Sequence, residues 1–164
     1  MNKKIIFTGI IVALLGVALC FIWVKNSPEI LPETSVEYKN SEFGFSFALP
    51  MSWKGYLVLN ENWEGLIIDS PSSSKIVGPK ISIRNPLWTV ENPRQDIPIM
   101  IFTPDQWNLI LQEKISLGAA PIGPSELGRN AKYIFALPAR YNFAFPIGFE
   151  EVQAIIDSKP LIGF

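Results

Sequence analysis

Ser72-Ser73-Ser74-Lys75 has the spacing Ser-x-x-Lys, in which a neutral lysine amine can take the proton of a serine hydroxyl and make it a nucleophile. The surrounding Asp69-Ser70-Pro71 has the composition of an exposed turn, and no Lys-Thr-Gly partner follows. A solvated loop is therefore the expectation, with a small envelope hydrolase using Ser72 and Lys75, or acidic residues, as the alternative. Glu61, Glu64 and Asp69 are spaced to meet across a hairpin, where carboxylates can act as acid and base or hold calcium. No Asp-x-Asp-x-Asp-Gly loop fixes them as ligands, so surface charge is the simpler reading. The chain contains no histidine, which removes Ser-His and Cys-His pairs and deprives zinc and haem of their usual ligand. Gly118-Ala119-Ala120-Pro121-Ile122-Gly123-Pro124 supplies glycine without the Gly-x-Gly-x-x-Gly or Walker order that cradles phosphate. Neither an enzyme, a cofactor nor a metal is expected.

Tryptophan is the remaining chemistry. Trp53 and Trp107 lie on apolar patterns and read as core. Trp63, in Asn62-Trp63-Glu64, and Trp88, in Pro86-Leu87-Trp88-Thr89, have polar or proline-rich neighbours. These two are the candidate binding residues, able to stack on an envelope glycan or anchor a peptide.

Such residues need elements to hold them, and the first element is of a different kind. Ile5 to Val24 is an uncharged run of 20 residues, about 30 Å long as a helix, which matches the hydrocarbon core of a bilayer. Lys3 and Lys4 precede it, whereas Lys25 and then Glu29, Glu33 and Glu37 follow. That asymmetry predicts a cytoplasmic N-terminus and a single pass, leaving the rest of the chain extracytoplasmic. A retained signal anchor is favoured because the run exceeds a usual cleavable core and no small-x-small site follows it. Cleaved and lipid-anchored forms are the alternatives; Leu19 is a poor residue to precede a lipid-modified Cys20. As the sole cysteine, Cys20 leaves the outer domain without an internal disulfide, which suits a bacterial envelope protein.

Beyond Lys25 the chain carries 11 basic and 15 acidic residues, about −4 by formal count. A surface of that sign repels phosphate backbones, so nucleic acid is excluded as a partner. The organisation expected is a cytoplasmic 1–4, an anchor at 5–24, a proline-containing linker at 25–37 and a domain at 38–164.

Within the domain, Phe43, Phe45, Phe47 and Leu49 alternate with small residues, which predicts a strand ending at Pro50. Further strands are predicted at 56–59, 66–68, 80–84, 97–102 and 132–137, the last continuing through Tyr141-Asn142-Phe143-Ala144-Phe145. Pro98 suggests an edge or a strand start. Thr103-Pro104-Asp105-Gln106 should open a helix running to about residue 116, with Trp107, Ile110, Leu111 and Ile115 as its apolar stripe. A last helix is expected from about Gly148 to Ser158.

Tyr38-x-Asn40-x-x-Phe43-Gly44-Phe45-x-Phe47-x-Leu49-Pro50-x-x-Trp53, with the terminal Phe149-Glu150-Glu151-Val152 helix, resembles membrane-tethered bacterial domains of PsbP-like character. The resemblance covers about 25 residues at the two ends of the domain. It implies an antiparallel sheet flanked by helices and a role in extracytoplasmic binding or assembly, and it transfers no functional residue. The expectation is thus an α+β domain, a single antiparallel β-sheet with two or more helices, behind one N-terminal transmembrane helix. Its partners are the lipid bilayer through Ile5 to Val24 and an unknown envelope protein or glycan.

Overall fold

Alternation along Phe45-Ser46-Phe47-Ala48-Leu49 buries the three large side chains and turns the small ones outward, forming strand β2 (Phe45–Pro50). The computed structural model describes residues 35–68, 74–118 and 122–164. β1 (Ser35–Asn40) pairs antiparallel with β2, Ser35 opposite Pro50, and so begins inside the stretch read as linker. β9 (Leu161–Gly163) pairs on the other side of β2 to complete a three-stranded sheet.

The second sheet has six strands in the order β6-β3-β4-β5-β8-β7. They are β3 (Leu57–Ile67), β4 (Ser74–Arg84), β5 (Ile97–Phe102), β6 (Ile115–Ser116), β7 (Ser125–Arg129) and β8 (Ile134–Leu137), all paired antiparallel. β3 and β4 are each 11 residues long. The polar Asn60-Glu61-Asn62 that separated two expected strands instead continues β3, because β4 supplies partners: Glu61 stands opposite Lys80. β5 lies between β4 and β8, so Pro98 marks a strand start and not an edge.

Among the described residues, two short α-helices complete the fold. α1 (Pro104–Leu111) opens with a capping box, Thr103 Oγ1 accepting from Gln106 N at 3.2 Å while Gln106 Oε1 accepts from Thr103 N at 2.9 Å. It stops five residues short of the expected end. Gln112 closes the helix, Glu113 takes a left-handed φ of 58°, and Ile115 pairs with Ile67 as part of β6. α2 (Phe149–Asp157) buries Val152 and Ile155, with Glu150 and Glu151 in its first turn.

The expected single sheet is therefore corrected: the described residues are mostly β, with sheets of three and six strands. The cause is the apolar face of β2. Phe45 packs on Phe135 of β8, ring centroids 4.7 Å apart, and Phe45, Phe47 and Leu49 share a core with Ile81, Ile83, Ile97, Ile99 and Ile101. Val152 and Ile155 of α2 close that core. The opposite face of the six-stranded sheet carries a second core of Trp63, Met100, Phe102, Trp107, Ile110, Ile115, Ile134 and Ala136. β5 serves both, which explains its continuous apolar run. The expected transmembrane helix, Ile5 to Val24, lies outside the described residues. Among the described residues, no helix is long and apolar enough to cross a membrane.

Candidate functional site

The catalytic candidates within the described residues are held in ways that occupy their functional groups. Ser72 and Asp69 lie outside the described residues. Lys75 Nζ sits 2.8 Å from Glu64 Oε2, both side chains exposed, so the amine is an ion-paired surface group. Glu61 accepts a 2.6 Å hydrogen bond from Ser82 Oγ and has Lys80 Nζ at 3.4 Å. The Ser82 hydrogen bond, with help from Lys80 and Arg84 and against some burial, holds its carboxyl below the usual carboxylate range. Each glutamate thus takes a cation from β4. Among the described residues, no three His, Cys, Asp or Glu side chains are grouped to hold a metal ion.

Trp63, offered above as a binding residue, is a core residue: 3% exposed, its ring 4.8 Å from that of Phe102. It crosses β4 over Gly78, its register partner, and its indole Nε1 donates to Ile101 O of β5 at 2.9 Å. The β4–β5 ladder ends at Lys80 opposite Met100, where Pro79 has no N–H to continue it, and the indole serves the next β5 carbonyl. A polar sequence neighbourhood misleads here because Asn62 and Glu64 point to the other face of the same strand.

Trp88 is half-buried, and the Arg84 guanidinium lies 3.9 Å from its ring centroid. Arg84 is in turn clamped by Asp96, Nη2 to Oδ2 at 2.9 Å and Nε to Oδ2 at 3.1 Å. The stack fixes the segment 85–96 between β4 and β5. Asn85 Oδ1 accepts from Leu87 N, and Thr89 Oγ1 from Asn92 N, closing two local turns.

This loop is bonded to another, 138–148, between β8 and α2. Gln95 N donates to Ile147 O at 2.9 Å, and Gln95 Nε2 reaches Tyr141 O at 3.2 Å. Tyr141 donates its hydroxyl to Gln153 Oε1 at 2.7 Å, and burial, with Asp157 nearby, pushes its phenol up. The two loops expose Leu87 (61%), Val90 (79%), Phe143 (74%), Phe145 (70%) and Ile147 (54%). Arg140, Ala144 and Phe145 all have left-handed φ angles, of 55°, 73° and 48°. For a residue as bulky as Phe that conformation is costly, and strain of this kind collects where a surface has work to perform.

The pair of loops forms one end of the domain. Ser52 Oγ donates to Glu151 Oε1 at 2.7 Å, tying the turn after β2 to the first turn of α2. Ser35, Pro50, Glu151 and Ile155 line a shallow hollow beside them. The chain thus comes into the domain at the end that carries the exposed Phe143 and Phe145. Sequence reasoning missed this site by extending β8 through Tyr141–Phe145. The signals against a strand were Pro138, Pro146 and Gly148, which bound a turn-rich segment. A second hollow, about 530 Å³, lies beside α1 and β6; its walls include Met100, Ile110, Ile115 and Leu117, with Glu113 as the charged lining residue.

No family model, curated protein or solved structure matches the chain, and nothing in these comparisons bears on the PsbP-like resemblance.

Proposed function

We propose that this chain is a membrane-anchored, extracytoplasmic binding or scaffolding domain of the cell envelope. The uncharged run Ile5 to Val24 supports the anchor, and the basic residues before it support an N-terminus on the cytoplasmic side. The observation that carries the binding role is the pair of hydrogen-bonded loops with five exposed large apolar side chains, held partly in strained backbone. Clustered apolar exposure of this kind marks a surface that is covered in use. Trp88 contributes by stiffening one loop through its stack on Arg84.

The test is sidedness and partnership together. Protease added to intact spheroplasts should digest residues 35–164, and crosslinking from intact cells should attach envelope material to the domain. A full-length chain that stays in the aqueous fraction without detergent, or a domain untouched by external protease, refutes the proposal.

A further inference from the structure

The apolar end of the domain has a specific occupant to account for, and its position in the chain says which. Ser35 pairs with Pro50, and both line the hollow that also holds Glu151 of α2. Two residues before Glu151, Phe149 stacks on Phe145, ring centroids 5.0 Å apart. The exposed Phe143 and Phe145 therefore belong to the same end as the point at which the N-terminal segment joins the domain. Only residues 25–34 separate that point from Val24, a span of at most about 35 Å when fully extended. A domain on so short a tether is kept within reach of the bilayer surface, and the end nearest the tether is the one with the aromatic loops.

We infer that the loops carrying Leu87, Val90, Phe143, Phe145 and Ile147 dip into the lipid headgroup and acyl boundary, so that the domain lies on the bilayer as well as being tied to it. The inference rests on the anchored reading above. Apolar and aromatic side chains suit that boundary because it removes their surface from water without requiring a shaped pocket. Lys54 and Arg140 are exposed cations at this end, able to meet lipid phosphates, and the exposed acids Glu91 and Glu150 beside them would stay on the water side of the boundary. The loop backbones keep internal hydrogen bonds, Phe143 N to Arg140 O at 2.9 Å and Phe145 N to Asn142 O at 3.1 Å, so these two amides carry no unsatisfied donor into the interface. The opposite end of β2, where the tether does not enter, exposes Phe164 as well, but there Lys39 Nζ lies 5.0 Å from the ring centroid, Asn130 is bonded to the carbonyls of Phe43 and Gly44, and Lys132 is exposed.

The full chain tests this in phosphatidylcholine vesicles. Cys20→Ala removes the native thiol, and Phe145→Cys, Val90→Cys or Lys132→Cys then carries an environment-sensitive fluorophore. In chains that float with the vesicles, probes at 145 and 90 should be blue-shifted and quenched at least about twofold by brominated acyl chains, since interfacial segments sit roughly 5–10 Å deep. The probe at 132 should be neither. Floating chains whose probes at 145 and 90 both behave like that at 132 overturn the inference and leave the anchored reading standing. A photocrosslinker at either position that captures a protein while the lipid probes stay unquenched overturns it too, and assigns the end to a protein partner. A chain that fails to float overturns the anchored reading, and the inference with it.

Discussion

Replacing Gly78 with alanine should destabilise this domain, although the same change in a strand ordinarily helps. A Gly→Ala exchange at compatible backbone raises stability by about 0.4–1 kcal/mol through the unfolded chain. At Gly78 the added Cβ would stand 2.5 Å from Trp63 Cε2 and 2.6 Å from Trp63 Nε1. Ordinary carbon contacts need about 3.5–4.0 Å, so the indole must retreat by about 1 Å. Its hydrogen bond to Ile101 O is 2.9 Å long and would pass out of bonding range. Overpacking costs about 1–3 kcal/mol, and a buried carbonyl left without its donor costs about 1–3 kcal/mol more. After the backbone gain is subtracted, the net loss is about 1–5 kcal/mol, centred on about 3 kcal/mol. With a urea slope of about 1–3 kcal/mol per molar, a loss of about 3 kcal/mol should lower the midpoint by roughly 1–3 M. Equilibrium urea unfolding of residues 33–164 measures it. The decisive comparison is a cycle with Trp63→Leu, in which the methyl group has room and the penalty should shrink to near zero. Gly78→Ala that is neutral beside Trp63, or equally harmful beside Leu, would refute the reasoning.

Asn130→Ala should cost about 2–3 kcal/mol in the same assay, because its side chain donates to Phe43 O and Gly44 O and accepts from Lys132 N and Tyr133 N. Trp63→Phe should be about 1–2 kcal/mol worse than Trp53→Phe, since only the first removes a hydrogen bond; Trp53 Nε1 is buried without one. Arg84→Lys should loosen the Trp88 loop, seen as a red shift and faster quenching of Trp88 emission in a background with the other tryptophans replaced, because lysine cannot reproduce the two-nitrogen grip on Asp96. Glu61 has a lowered folded pKa, so its contribution is full above the ordinary carboxylate range and disappears as pH falls through the depressed value. Glu61→Gln should therefore flatten the acid limb of a stability profile and leave its shape at neutral pH unchanged.

Local patterns in the chain led reliably to elements whose determinants are local. The capping residues Thr103 to Gln106 located the start of α1, and the periodic Val152, Ile155 and Ile156 located α2, because both signals span fewer than two turns. The 97–102 strand was legible as an unbroken apolar run. What escaped depends on partners distant in the chain. Ser125-Glu126-Leu127-Gly128-Arg129 has almost no apolar alternation and is a strand because β8 offers it a ladder. The three-residue β9 is too short to show any period and is held by β2. Two sheets were read as one because alternation tells which residues face a core, not which other strands face them across it. Trp63 and Trp88 had similar surroundings in sequence, yet the register of β3 on β4 sets Trp63 over Gly78, whereas Trp88 lies in the loop after β4 against Arg84.

Ile97–Phe102 has an unusual mechanical position, with Ile99 and Ile101 turned to the intersheet core and Met100 and Phe102 to the core beneath α1. Neither cluster can come apart without stripping one flank of this segment, so the halves are obliged to melt together. Its amide protons should be the last in the molecule to yield to deuterium, exchanging at the rate set by whole-domain opening.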